Sequence, residues 1–374
     1  MKKVLQISKY YYPEVGGIER MASAITKAVQ GKYEMKILCF ASDSKDVSDN
    51  YDGIEIVRAG ITRKVFSQPI AFSYIRLVKK VINEYQPDYI IIHEPNPFAS
   101  FFLLNCIRDK CILIVYWHSD IIRQKRLEVI LRNYYYRLLE RADAIIATSF
   151  NYLQGSDYLQ KYKSKCSVIP NCIDEELLCL NKESKELADR IREKYRNKII
   201  CVGVGRMVPY KGFEFLAEAS KLVDDRFVFF VIGRKGDSTD RIKSIVGSQE
   251  NFVLLENLSD WERNAYFAAS DIITFPSITK NEAFGIGLAE GMYFGKPAIT
   301  FEIPGSGVGY VNKNGVSGIE VDNRDVKAYS DALLKLADDD KLRMTMGNAA
   351  RERIVKKFLF SKFKESLLDL LEQI

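Results

Sequence analysis

Short, nearly uninterrupted apolar runs recur along the first half of the chain, at Val4–Ile7, Met35–Phe40, Tyr89–Ile92, Ile112–Trp117, Ala144–Ala147 and Ser167–Ile169. A strand with one wet face alternates apolar and polar residues, so runs without alternation predict parallel β-strands covered on both faces. Between them, Ile18–Val29, Ala71–Tyr85 and Ile122–Leu139 set apolar residues at helical period. Strand and helix therefore alternate, the pattern of a doubly wound α/β domain. The series restarts at Ile199–Val204 and continues through Phe227–Ile232, Phe252–Leu255, Ile272–Phe275 and Ala298–Thr300, again with helices between. Two Rossmann-like domains are expected, residues 1–172 and 173–357, with the turn chemistry of Pro170–Glu176 acting as a mobile linker. Asp339–Lys356 and Ser361–Leu371 predict two last helices, joined at Phe358–Phe360 without a strong breaker. Residues 42–53 and 60–70 read as loops.

At roughly 100–200 residues per domain, 374 residues suffice for two cores. With 47% hydrophobic residues, 28% charged and only 22 Gly and 10 Pro, the chain is neither disordered nor collagen-like. Charge is uneven: residues 1–173 hold 25 Lys and Arg against 17 Asp and Glu, a balance of +8, and the remainder holds 30 against 32. A basic half fits nucleic acid, anionic lipid or a phosphate-bearing substrate, and charge alone does not choose. The seven cysteines form no CxxC pair and several sit in apolar runs, which reads as reduced thiols in a cytoplasmic protein. The start, MKKVLQIS, lacks the apolar region of a signal peptide and reads as a first strand. No window approaches about 18 uninterrupted apolar residues, so no transmembrane span is expected.

Chemistry concentrates first in Asn281–Gly291, after a strand ending at Pro276. Glu282 and Glu290, read on or near one helix, are separated by roughly 12 Å along its axis and about 80° around it. That spacing suits the distance from sugar to ribose in a nucleotide sugar, and Gly285 and Gly287 leave first-turn N–H groups uncovered for a pyrophosphate. The bland alternative makes Glu282 a complement to the helix N-terminus and Glu290 a surface residue.

Gly205-Arg206-Met207-Val208-Pro209-Tyr210-Lys211-Gly212 follows the first strand of the second series, so Arg206 and Lys211 fall on the carboxyl edge of a parallel sheet, where such folds bind ligands. Arg206 can fork two phosphate oxygens and Lys211 can act as a point charge. On the first series, Gly16 and Gly17 precede a helix and permit close approach of a phosphate, although a tight turn accounts for them as well. Both histidines of the chain, His93 and His118, lie just past strands. No third metal ligand accompanies them at familiar spacing, and no GxSxG elbow supports a hydrolase triad with Ser119 and Asp120. A hydrogen-bonding or electrostatic role remains, with a structural role for His93 equally open.

Taken together, Gly16-Gly17 after the first strand, Trp117-His118-Ser119-Asp120, the Arg206…Lys211-Gly212 loop, the pair Glu282…Glu290 and the turn Gly315–Gly318 resemble the retaining GT-B glycosyltransferases of glycosyltransferase family 4. The stretches from His93 to Phe98 and from Trp117 to Lys125 look most like bacterial mannosyltransferases of surface polysaccharide assembly. The resemblance implies a GT-B fold, two Rossmann-like domains facing across a cleft, with a last helix, about 358–374, packing back on the first. It implies that Arg206, Lys211, Ile286 and Gly287 neutralise the donor diphosphate, with Gly16 and Gly17 approaching from the other domain. Glu290 would bind the ribose, while Glu282, Phe284, Gly285 and His118 would hold the donor sugar and Asp120 the acceptor side. Base recognition would fall near Gly233, Arg234, Asn257 and Leu258, with Asn257 standing where many relatives have Gly.

Such parts suit charge migrating to a leaving nucleoside diphosphate, with no metal required. The resemblance implies retention of configuration, and no protein nucleophile is assigned. The expected donor is GDP-mannose, with a UDP-sugar as rival, and the expected acceptor a glycan or lipid-linked glycan rather than nucleic acid. A nucleotide-sugar 2-epimerase and a non-catalytic binding subunit are the competing readings. Ile121–Arg141, with six basic residues against Glu128 and Glu140, reads either as an ordinary helix or as one lying on an anionic membrane surface at the cytoplasmic face.

Overall fold

The computed structural model describes residues 1–14, 16–65, 68–120 and 125–374, and of 125–130 the backbone alone. The chain divides into two compact units, Met1–Cys172 with Ser361–Ile374, and Ile173–Phe360.

Unit 1 carries ten strands: β1 (Lys3–Ile7), β2 (Glu34–Phe40), β3 (Val47–Tyr51), β4 (Ile54–Ala59), β5 (Arg63–Val65), β6 (Gln68–Ile70), β7 (Tyr89–Glu94), β8 (Ile112–Trp117), β9 (Ala144–Ala147) and β10 (Cys166–Val168). Its helices are α1 (Gly17–Val29), α2 (Tyr74–Tyr85), α3 (Pro97–Leu104), α4 (Lys125–Arg141), α5 (Phe150–Gly155) and α6 (Asp157–Lys161). The main sheet runs β10-β9-β8-β7-β1-β2-β4-β3, parallel except where β3 returns antiparallel to β4. Central β7 is buried along its whole length, which explains its unbroken apolar run. It also continues two residues past that run, drawing His93 and Glu94 into the interior.

The expectation of plain loops at 42–53 and 60–70 is corrected. Every side chain of β3 is exposed, so backbone pairing with β4 holds it and no apolar pattern marks it, while β5 and β6 form a separate antiparallel hairpin. Of the segment Ile121–Arg141, residues Ile121, Ile122, Arg123 and Gln124 and the side chains of Lys125, Arg126 and Glu128 lie outside the described residues. Within the rest, Tyr135, Leu138 and Leu139 are buried, and Arg141 pairs with Asp143 at 3.0 Å.

Unit 2 has one sheet of β11 (Ile199–Val204), β12 (Phe227–Ile232), β13 (Phe252–Leu255), β14 (Ile272–Phe275), β15 (Ala298–Phe301) and β16 (Gly318–Val321), all parallel in the order β13-β12-β11-β14-β15-β16. Its helices are α7 (Lys182–Lys194), α8 (Phe213–Ala219), α9 (Thr239–Val246), α10 (Asp260–Ala269), α11 (Ile286–Tyr293), α12 (Val308–Val311), α13 (Val326–Asp338) and α14 (Asp340–Lys357). Alternation along β12 divides the core: Val228, Phe230 and Ile232 join one apolar cluster with Phe284 and Leu288, while Phe227, Phe229 and Val231 join another with Tyr329 and Leu333.

Ile173, in the expected linker, is buried rather than loose. Its N–H donates to the Phe358 carbonyl at 2.8 Å, and it bridges Leu359 at the end of α14. The last helix, α15 (Phe360–Gln373), buries Leu367 and Leu371, and the Tyr89 hydroxyl donates to the Leu371 carbonyl at 3.2 Å. Among the described residues, no helix is long and apolar enough to cross a membrane.

Candidate active site

In unit 2 the chain leaves β11 through Gly205 and makes a short turn at Pro209–Lys211 that ends at Gly212. Gly212 takes φ +66, and a Cβ there would lie 2.0 Å from the Pro276 carbonyl oxygen, so the turn closes against the end of β14 only with glycine. This packing drives the Lys211 side chain inward, with its ammonium 4.9 Å from the Phe275 ring centroid and 5.6 Å from that of Tyr210. There it forms an ion pair with Glu282 Oε2, which also accepts from Ser277 Oγ at 3.4 Å. Burial disfavours the lysine charge, but Glu282 and Tyr210 overcome it and hold the Lys211 pKa above its ordinary value. Arg206, in contrast, is exposed, and its charge is felt at Lys211.

The straight-helix geometry expected for Glu282 and Glu290 is corrected. Helix α11 begins only at Ile286, after Gly285 takes φ +95, so Glu282 sits in the turn before it. That turn is fastened from the far side: Ser306 Oγ donates to the Glu282 carbonyl, and Gly307 N–H to the Ala283 carbonyl at 3.0 Å. The sequence reading missed Ser277 and Ser306, although Pro304-Gly305-Ser306-Gly307 is a recognisable turn signal. Glu290 lies on α11 and is only 5% exposed, which removes its reading as a surface residue. Phe284 is a core residue stacked edge-on to Phe358 at 5.4 Å. Gly287 brings the start of α11 against the end of β11, where a Cβ would approach the Val204 carbonyl oxygen to 3.3 Å. The uncovered first-turn N–H groups of α11, the Arg206 loop and the Lys211–Glu282 pair thus gather at one edge of one sheet.

Of the residues expected at the base, Gly233 packs on the Gly205 carbonyl, and the Arg234 carbonyl accepts from Met207 N–H at 3.0 Å, leaving the Arg234 side chain exposed. Asn257 takes φ +58, the left-handed region that glycine favours and asparagine tolerates, which explains the replacement, and Leu258 beside it is half-buried.

In unit 1, His93 Nδ1 and His118 Nε2 stand 2.8 Å apart. Burial pushes the His93 imidazole pKa down to about 3; burial and then His93 itself push that of His118 well below its ordinary value. Asp120 is tied to its surroundings, its Oδ1 accepting from Trp117 Nε1 and Ser156 Oγ, both at 2.8 Å. Gly16 has extended backbone and precedes α1, and a Cβ on it would come within 2.3 Å of the Glu19 carboxylate. A carboxylate therefore already stands at the helix start where Gly16 and Gly17 were expected to admit a phosphate.

Residues 184–353 match the family model "Glycosyl transferases group 1", and residues 15–177 match "Glycosyltransferase Family 4". The chain is 28% identical over 361 residues to the O-antigen chain mannosyltransferase C of Escherichia coli, covering 95% of this chain and 94% of that protein. To the D-rhamnosyltransferase WbpZ of Pseudomonas aeruginosa it is 29% identical over 354 residues, 94% of this chain and 91% of the relative. Among solved structures, Anabaena Alr3699/HepE in complex with UDP-glucose superposes with a TM-score of 0.80 at 17% identity, over 100% of both chains. With the two family models matching its successive halves and near-complete relatives of the same kind, the chain belongs to the GT-B glycosyltransferases.

Proposed function

We propose that this glycosyltransferase moves a hexose from a nucleotide donor, GDP-mannose in the first instance, to a glycan or lipid-linked glycan acceptor in surface polysaccharide assembly. The observation that carries the reading is the partly buried Lys211–Glu282 ion pair beside the exposed Arg206 and the start of α11. An ammonium and a guanidinium next to uncovered helix N–H groups suit a diphosphate, and a carboxylate in the same place suits sugar hydroxyls. The names of the two near-complete relatives, a mannosyl- and a rhamnosyltransferase, support the sugar class.

In this structure Lys211 and Glu282 neutralise each other. Donor binding would exchange partners, with Lys211 turning to the diphosphate and Glu282 to the sugar, while Glu290 takes the ribose. In unit 1 the residue assigned to the donor sugar is His118. As the bond from the anomeric carbon to the β-phosphate oxygen breaks, Arg206, Lys211 and the N–H groups of Ile286 and Gly287 stabilise the leaving charge. The acceptor oxygen attacks on the same face, and the departing phosphate takes its proton, so configuration is retained. These cations supply the charge a metal would otherwise bring, and transfer is expected to persist in chelator. The basic balance of residues 1–173 fits reversible contact with an anionic membrane surface, read out by salt-sensitive co-sedimentation with anionic vesicles.

The test is a thermal-shift titration with GDP, UDP, ADP and their sugar conjugates, followed by product analysis with the donor that binds. A selective response to GDP and GDP-mannose, with an α-linked product, supports the reading. A selective UDP response replaces the donor, and absence of any nucleotide response removes the assignment.

A further inference from the structure

The chain has only two histidines, and the fold sets them against each other. His93 is the fifth residue of β7, pairing in register with Tyr116 of β8, and His118 follows the end of β8 on the same side of the sheet as Tyr116. The two imidazole rings are nearly parallel, at 5° with centroids 5.0 Å apart, and Tyr116 stacks on His118 at 4.2 Å. Both rings are buried, and both are held neutral by that burial.

Two neutral imidazoles joined by one hydrogen bond have a single proton between the facing nitrogens. Suppose His118 supplied it. His93 would then carry its own proton on Nε2, a buried atom with no hydrogen-bond partner among the described residues. Orphaned buried N–H groups are rare, whereas an unfilled acceptor lone pair is tolerated more readily. If His93 supplies the proton from Nδ1 instead, its Nε2 is only a bare acceptor. His118, accepting at Nε2, then carries its proton on Nδ1, to which no described residue hydrogen-bonds.

We propose that His93 is a positioning residue: it donates from Nδ1 to His118 Nε2 and locks His118 as the Nδ1–H tautomer, a neutral donor and not a base. The functional consequence rests on the reading above that His118 meets the donor sugar. An N–H fixed in direction suits a sugar hydroxyl oxygen, and a ring with its basic nitrogen already occupied leaves the acceptor proton to the departing phosphate. The role resembles that of a carboxylate orienting a catalytic imidazole, with a second imidazole in its place.

With two histidines, the test is a ¹⁵N spectrum of the side-chain imidazoles of the full chain at neutral pH, assigned with His118→Ala. The expected result is two neutral rings, both as Nδ1–H tautomers, against the Nε2–H preference of free histidine. An Nε2–H tautomer for His118 overturns the proposal. In His93→Leu, His118 is expected to shift to Nε2–H and kcat to fall by about 10²-fold with KM little changed. His93→Asn, whose amide N–H can stand in for Nδ1–H, is expected to keep the tautomer and most of the rate. An unaltered His118 tautomer in His93→Leu contradicts the lock. Should that variant fail to fold, the wild-type and His93→Asn spectra still decide. Absence of transfer by the wild type with every donor would sink the functional reading alone, because the spectra need no substrate.

Discussion

The two units treat ionisable groups in opposite ways. At the sheet edge of unit 1, burial works against charge: it lowers both histidines, and it raises the Glu94 carboxyl to about 7. At the sheet edge of unit 2, Lys211 is also largely enclosed but keeps its charge, because Glu282 stands against it and Tyr210 adds to the effect. Burial alone therefore does not decide protonation; the presence of a counter-charge within the same pocket does. An edge where burial opposes charge, lined by imidazoles and aromatic rings, suits uncharged hydroxyls, and an edge of cations and helix N–H groups suits a diphosphate.

The sharpest way to break this contrast is Lys211→Ala. It removes a cation from the leaving group and strands Glu282 as a buried, unpaired charge, so kcat/KM is expected to fall by about 10³-fold. A change within about threefold, measured as initial transfer rates, would mean that Lys211 has no part in the chemistry.

Glu94 tests the other side. Its carboxyl pKa is about 7 in the fold against 4.5 in the unfolded chain, so its contribution to stability is fully present below pH 4.5 and is lost as pH rises through 7. That amounts to about 3 kcal/mol. Chemical denaturation from pH 4 to 8 should show this component in the wild type and lose it in Glu94→Gln; the same pH dependence in both would mean that Glu94 ionises as freely as in water.

Glu282→Gln frees Lys211 from its internal counter-ion. Calorimetry should give nucleoside diphosphate affinity raised about fivefold, while transfer falls by about 10²-fold. Weaker diphosphate binding would show that the ion pair organises the site instead of competing with the ligand. The smallest effect is expected for Asp120→Asn, which keeps the oxygen that accepts from Trp117 and Ser156. Transfer should stay within about fivefold and stability within about 1 kcal/mol; a loss beyond about 10²-fold would give Asp120 a part in chemistry.

Much of the fold was legible because parallel strands buried on both faces are written as continuous apolar runs, as in β8 and β12. Strand β3, Val-Ser-Asp-Asn-Tyr, has no such pattern because nothing covers it, and it forms through the backbone of its neighbour. At the candidate site, the residue types were legible and their partners were not. Lys211 and Glu282 lie 71 positions apart, and His93 and His118 lie 25 apart; only the closing of strand ends into one edge brings each pair together. The straight-helix spacing of Glu282 and Glu290 failed for a local reason: Gly285 takes a left-handed conformation, so the helix cannot start before it and Glu282 lies in the turn ahead of it.

The contrast between the two edges is tested most directly by calorimetric titration of GDP into the wild type, Arg206→Ala and His118→Ala, with UDP as the alternative ligand. The expected result is affinity lowered at least about tenfold by Arg206→Ala and unchanged by His118→Ala, as follows from the proposed binding of the diphosphate at the charged edge. Loss of affinity in His118→Ala with Arg206→Ala unaffected would contradict it.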